Sequence, residues 1–133
     1  MRVAELMTTD VVTIRGDAPV SDAVAQLTDS RIGGLAVVDR HGKLVGTVSA
    51  YDILAAEAEA GDEEAWARML TTTLVSDIMT SPPLTVTADT EVREASLQME
   101  YGDVHRLFVE QDGDLAGVIS RSDIVRAHAG GKL

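Results

Sequence analysis

Two short runs carry residue types that could do chemistry: Ser49-Ala50-Tyr51-Asp52 and Ser120-Arg121-Ser122-Asp123, each a hydroxyl and a carboxylate three positions apart. At a helix start this spacing is a capping box, in which the serine oxygen accepts from the amide three residues on and the acid returns to the serine's own amide. Because the motif occurs twice, ligand binding stands beside capping as a reading of it, and the two roles are compatible. His105-Arg106 is either a phosphate contact with a proton-dependent histidine or a solvated turn. Gly33-Gly34 either lets a ligand approach the backbone closely or forms a loose strand entrance. His41 and His128 read as solvated, and Met7 and Met79 as gap-filling walls. The chain has no P-loop, no Gly-x-Gly-x-x-Gly, no metal-ligand spacing and no recognisable nucleophile–base pair, so neither catalysis nor a metal centre is expected.

These residues sit in a chain of 133 residues with 45% hydrophobic and 25% charged side chains, enough for one ordinary domain or two very small ones. A chain of this length buries roughly two-thirds of its unfolded surface, so a core forms without staples. The absence of cysteine excludes disulfides, thiolate catalysis, iron–sulfur clusters and cysteine zinc sites. A formal charge of −11 argues against nucleic-acid or anionic-membrane binding, since no cationic excess exists to displace phosphate counterions. Aromatic residues, at 3%, offer few platforms for stacking bases. The first residues carry an acid at Glu5 and no long apolar run, unlike a signal peptide or membrane span, and a cytoplasmic protein is expected.

The elements that must position the two motifs come from an internal repeat. Val3-Ala4-Glu5-Leu6-Met7-Thr8 aligns with Val75-Ser76-Asp77-Ile78-Met79-Thr80, and the same register pairs Asp17 with Asp89, Ala23 with Ala95 and Leu35 with Leu107. The match resumes one residue shorter at Gly42, Gly46, Ser49 and Asp52, answered by Gly113, Gly117, Ser120 and Asp123, so the deletion falls in a turn. Each copy predicts an opening turn, a short strand (Val11 to Ile14; Leu84 to Val86) and a helix with a buried stripe at Val20, Ala23, Val24 and Leu27, or Val92, Ala95 and Met99. Pro19 suits the first helical turn, and Thr90 is placed to cap the second copy's helix. A hairpin through Asp39–Lys43, or through Gln111–Gly113, leads to a closing helix at Ser49 or Ser120.

The expected boundaries are residues 1–60 for the first unit, 61–74 for a helical connector, 75–129 for the second unit and 130–133 for a frayed tail. The connector, resuming at Glu63 after Gly61-Asp62 and running to Leu70, reads as a solvated helix with Trp66 as its packing anchor. A β-α-β-β-α unit of this size has a marginal core alone, and two pseudo-twofold-related copies packed through their small sheets solve that problem. Related clefts between the copies are then the expected ligand positions. The fold class is α/β in the broad sense, of α+β type.

The pattern Val-x-x-Leu/Ile-Met-Thr, an apolar helix, Leu-x-Val, a Gly turn and Leu-x-Gly-x-Val/Ile-Ser-x-x-Asp-Ile, present twice over residues 3 to 128, resembles a tandem pair of cystathionine-β-synthase-type (CBS) domains, a Bateman module. The resemblance implies a non-enzymatic regulatory sensor that binds an adenosine-containing ligand between the copies and works as a disc-like homodimer. AMP, ADP or ATP, with or without Mg²⁺, comes ahead of S-adenosylmethionine, NAD or a cyclic dinucleotide. It implies that Asp52 and Asp123 accept from ribose hydroxyls, with Ser49 and Ser120 helping at ribose or phosphate. A carboxylate can accept both hydroxyls of a diol, and a helix N-terminus favours phosphate. Backbone around Val12 and Leu84 would meet the adenine, with Ile32, Gly33, Gly34, Val104, His105 and Arg106 alongside. Each site would be crossed, the early strand of one copy serving the Ser-x-x-Asp of the other. The family's frequent proline after leucine is Ala36 in one copy and Phe108 in the other. Only the second copy has cations at His105-Arg106, so unequal sites are expected. The expected partners are the nucleotide, a second copy and an effector protein, with no nucleic acid and no membrane. The alternative is a dimerisation or protein-interaction module that responds to no ligand.

Overall fold

The alternation of short Val- and Leu-rich runs with amphipathic stretches is realised as a mixed α+β chain in the computed structural model, which describes residues 1–30 and 32–131. Along the chain come a 3-10 turn (Val3–Glu5), β1 (Thr13–Arg15), α1 (Val20–Ser30), β2 (Gly34–Val38), β3 (Leu44–Ser49), α2 (Ala50–Ala60) and α3 (Glu63–Thr72). Then follow α4 (Val75–Ile78), β4 (Thr85–Val86), α5 (Val92–Gly102), β5 (Arg106–Gln111), β6 (Asp114–Ser120) and α6 (Arg121–Ala129). Lys132 and Leu133 of the expected tail lie outside the described residues. No described helix is long and apolar enough to cross a membrane.

Two compact units result, and they do not coincide with the two sequence repeats. One comprises Val12–Pro83; the other joins Met1–Val11 to the chain from Leu84 onward. The opening segment of each repeat therefore completes the unit built by the other. Val75, fully buried, lies in the core with Ile14, Ala23, Leu35, Val37 and Val48; Val3, its repeat counterpart, is fully buried among Val86, Val92, Ala95, Met99, Leu107, Val109, Ile119 and Ile124. The same backbone bonds seat both segments. Val75 N–H donates to Ala18 O and Ser76 N–H to Gly16 O, matched by Val3 N–H to Thr90 O and Ala4 N–H to Ala88 O, at 2.8 to 3.0 Å.

In the unit of residues 12–83, β1 runs parallel to β2 with α1 as the crossover, and β2 pairs antiparallel with β3. Leu35 to Val38 of this central strand are all buried, while β3 alternates buried and half-buried residues. Helix α1 buries Val20 and Ala23 and half-buries Val24 and Leu27, the stripe its spacing predicts. Gly61, at φ +88°, ends α2, and the Asp62 side chain caps α3 by accepting from the Ala65 amide at 2.8 Å. Helix α3 has no fully buried residue and packs on α1 and α2 with Trp66 half-buried. It runs to Thr72, past the expected end at Leu70, because the backbone ladder continues until the Thr73 amide donates to the Met69 carbonyl at 2.9 Å; the Thr71 and Thr72 hydroxyls donate to the Arg68 carbonyl at 3.3 and 2.7 Å.

The other unit repeats this order, with β4 parallel to β5 and β5 antiparallel to β6. Its hairpin turns through Asp112 and Gly113, both at positive φ (54° and 86°), the two-residue turn whose twist suits paired strands. The first hairpin makes a wider turn, in which Asp39 Oδ1 accepts from the His41 and Lys43 amides at 2.8 and 3.0 Å. The one-residue deletion between the copies thus falls in the turn, as expected. The cap expected at Thr90 is not made: Glu91 is the N-cap of α5, without a side-chain bond, and Thr90 Oγ1 accepts from the Thr87 amide at 3.2 Å. Thr90 is held in that turn because its carbonyl receives the amide of Val3.

Candidate functional site

Each Ser-x-x-Asp motif sits where the last strand of a hairpin turns into the closing helix. Ser49 ends β3 in extended conformation (φ −120°, ψ 170°) and caps α2; Ser120 ends β6 likewise (φ −115°, ψ 164°) and caps α6. Both form the capping box. Asp52 Oδ2 accepts from Ser49 N–H at 2.8 Å and Ser49 Oγ accepts from Asp52 N–H at 3.3 Å; the counterparts at Ser120 and Asp123 are 2.8 and 3.2 Å. The box fixes one carboxylate oxygen, Oδ2, and does not use Oδ1.

The strand register brings the other expected residues to the same corners. Gly34 lies opposite Ser49, and Arg106 opposite Ser120. The Gly33 carbonyl accepts the first amide of α2, from Ala50, at 3.1 Å, and the His105 carbonyl accepts the first amide of α6, from Arg121, at 2.9 Å. Ile32 and Val104 are half-buried and pack on their own unit's core. The first and third amides of each closing helix are thereby satisfied within the protein, which narrows what a phosphate could find there. His105 is exposed. Arg106 is half-buried, which holds its guanidinium pKa below the ordinary value, and it already has a partner within the protein.

Val12 and Leu84 fall at the points where the two units exchange chain. Val12 packs on the core of the unit containing Ser49 and Asp52, and Leu84, 43% exposed, belongs to the unit containing Ser120 and Asp123. Each early strand pairs in parallel with β2 or β5 of its own repeat. What crosses is the segment just ahead. Thr80 bonds Thr47 of β3 through two backbone hydrogen bonds, at 2.8 and 3.0 Å, and Thr8 bonds Val118 of β6 through two of 2.9 Å. Ser81 Oγ also donates to the Val45 carbonyl at 2.9 Å.

Glycine in the Leu-x-Gly motif makes this possible. A Cβ on Gly46 would stand 2.6 Å from Met79 Sδ and 2.8 Å from the Thr80 carbonyl oxygen; on Gly117 it would stand 2.9 Å from Met7 Sδ and 2.8 Å from the Thr8 carbonyl oxygen. The crossing strands lie too close for any side chain there.

Two residues that the sequence reading did not single out touch the carboxylates, and they differ between the units. Thr80 Oγ1 donates to Asp52 Oδ1 at 3.1 Å. Asp123 Oδ1 instead pairs with Arg126, one helical turn on. Among the described residues Thr8 makes no bond corresponding to that of Thr80. The signals were present: the Met-Thr pair recurs with the repeat, and Asp123 and Arg126 have the i, i+3 spacing that brings side chains together on a helix. No group of three or more His, Asp or Glu that could hold a metal ion occurs among the described residues.

The CBS domain family matches the chain twice, over residues 3–59 and 75–130. The chain belongs to the CBS-domain family. The CBS domain-containing protein CBSX1 of Arabidopsis thaliana chloroplasts is 33% identical over 94% of this chain, which spans 63% of the relative's length; for CBSX2 the identity is 30% and the span 57%. Among solved structures, CBSX2 in complex with AMP matches with a TM-score of 0.84 at 31% identity, covering 99% of this chain and 98% of that one. The CBS domain pair of protein MJ0100, in complex with 5′-methylthioadenosine and S-adenosyl-L-methionine, gives the same TM-score at 25% identity, covering 99% and 98%. An inosine-5′-monophosphate dehydrogenase of Methanocaldococcus jannaschii is 32% identical over 92% of this chain but only 22% of its own length is spanned, so there the CBS pair is one part of an enzyme.

Proposed function

We propose that this CBS pair is a regulatory module that binds an adenosine-containing ligand at its Ser-x-x-Asp corners and works by binding rather than by chemical conversion. The observation that carries the reading is the pair of capped carboxylates. Each Oδ2 is held by its own serine amide at 2.8 Å, so the carboxylate is fixed and Oδ1, outside the box, is the oxygen that a diol would meet. The AMP in the CBSX2 structure and the two adenosine derivatives in the MJ0100 pair support that ligand class. AMP, ADP or ATP, with or without Mg²⁺, is the expected form here, and contacts at the adenine come from backbone and apolar groups beside Ile32 and Val104. A ligand that favours one arrangement of the crossing segments shifts their population, and a partner protein or second copy reads the shift.

A thermal-shift screen against AMP, ADP, ATP with and without Mg²⁺, S-adenosylmethionine, NAD and cyclic dinucleotides tests this. A ligand at about a hundred times its dissociation constant raises stability by roughly 2.7 kcal/mol, several degrees for a chain of this size. The shift should fall in Asp52→Ala and Asp123→Ala while the unliganded variants stay folded. A flat response across the panel overturns the reading.

Exposed apolar side chains favour assembly as a second property. Tyr101 is 85% exposed, Tyr51 77%, Val125 64% and Leu54 63%, all on helices. Association into homodimers, measured by sedimentation over a range of concentrations, is the expected outcome, and a monomer throughout would refute it.

A further inference from the structure

We propose that Arg126 ranks the two corners, so that the Asp52 site takes a ribose first and the Asp123 site is held in reserve by an internal competitor. This rests on the ligand class proposed above and specifies how the two sites differ. At Asp123 the oxygen outside the capping box, Oδ1, is paired with the Arg126 guanidinium. The Asp123 side chain is only 12% exposed and is pinned by its capping box, whereas that of Arg126 is 72% exposed. The carboxylate is therefore held against its partner, and a diol reaching Oδ1 has to compete with the guanidinium for it.

Among the described residues the first corner has no such competitor. Its position equivalent to Arg126 is Ala55, and among the described residues Asp52 Oδ1 accepts the neutral, exposed hydroxyl of Thr80 at 3.1 Å and no other donor. A carboxylate oxygen has lone pairs for more than one donor, so a diol can join Thr80 there without breaking an ion pair. Screening by salt weakens an exposed ion pair and leaves a hydrogen bond to a neutral hydroxyl nearly unchanged. The two corners should then respond to ionic strength in different ways.

The probe is adenosine, which carries the diol and no charge, titrated calorimetrically into wild type, Asp52→Ala, Asp123→Ala and Asp52→Ala/Arg126→Ala. In Asp123→Ala, which keeps the first corner, affinity should be the same at about 0.02 and 0.5 M NaCl. In Asp52→Ala, which keeps the second, affinity should be weaker at low salt and rise at high salt, by at most the roughly two- to fivefold that loss of a fully exposed pair would give. Adding Arg126→Ala should give the same gain at low salt and abolish the salt response. A second corner whose adenosine affinity falls or stays constant when Arg126 is removed overturns the ranking, while the ligand class stands. If adenosine binds neither corner of the wild type although AMP shifts its melting temperature, the diol is not what these carboxylates read and the ranking is refuted. If no nucleotide or nucleoside binds, the functional reading fails and the ranking falls with it.

Discussion

Adding one methyl group at Gly46 should loosen the Met79–Thr80 segment from β3. The new Cβ would lie 2.6 Å from Met79 Sδ and 2.8 Å from the Thr80 carbonyl oxygen. The sulfur ends a flexible side chain and can swing aside. The carbonyl cannot, since that residue is tied to Thr47 by two backbone hydrogen bonds of 2.8 and 3.0 Å. Overpacking of this kind costs about 1 to 3 kcal/mol, and weakening the two bonds adds roughly 1 kcal/mol each where the strands part. The whole effect of Gly46→Ala is therefore about 3 to 5 kcal/mol, roughly 10 to 20 °C in melting temperature for a chain of this size. Trp66, the single tryptophan, is on α3 of the same unit, so its fluorescence during urea unfolding reports the loss where it occurs. Gly117→Ala should cost a similar amount, read by circular dichroism, because its Cβ would meet the Thr8 carbonyl at 2.8 Å. A change below about 0.5 kcal/mol, the scatter of ordinary surface substitutions, would refute the close approach as the reason for glycine at both positions.

Ser120→Ala removes the acceptor for the Asp123 amide and should lower stability by about 1 kcal/mol in denaturant unfolding, with Ser120→Thr largely restoring it. Val3→Ala, made at the far end of the chain from the repeat it serves, should destabilise the unit of Val92, Leu107 and Ile119 by roughly 1 to 3 kcal/mol, measured by amide hydrogen exchange in β5 and β6. At the first hairpin the Lys43 amide holds the Asp39 carboxyl below the ordinary carboxylate pKa against a smaller opposing effect of burial, with the amide of His41 and the charges of His41 and Arg15 adding less. Its contribution to the turn is complete above the unfolded value near pH 4 and disappears as pH falls through the lower folded value. Exchange of the His41 and Lys43 amides, normalised to intrinsic rates, should therefore accelerate only below about pH 4, and an Asp39→Asn variant should lack the transition.

Local chemistry was legible from the sequence because it depends on residues a few positions apart. The buried stripe of α1, the Gly61-Asp62 break and both capping boxes follow from spacing alone, since each is closed by bonds spanning three or four residues. The repeat also foretold the paired architecture, because two copies of one pattern must fold by the same rules. Thr90 shows the limit of such reading: it is a good cap by type, yet the amide of Val3, distant in sequence, claims its carbonyl and holds it in a turn.

Tertiary structure alone decided which repeat each opening segment completes. In the sequence Val3 and Val75 are simply the first apolar residues of their copies, and nothing local distinguishes burial at home from burial in the other core. The choice is made where Gly46 and Gly117 leave room for Thr80 and Thr8, a contact between residues far apart along the chain. The unequal surroundings of Asp52 and Asp123 have the same origin in part. Arg126 was within reach of a sequence argument, one helical turn from its partner, whereas the Thr80 hydroxyl meets Asp52 only because the chain crosses back to lie on β3. Spacing fixes what a helix turn can do for itself, and the packing of distant segments fixes what each carboxylate has left to offer a ligand.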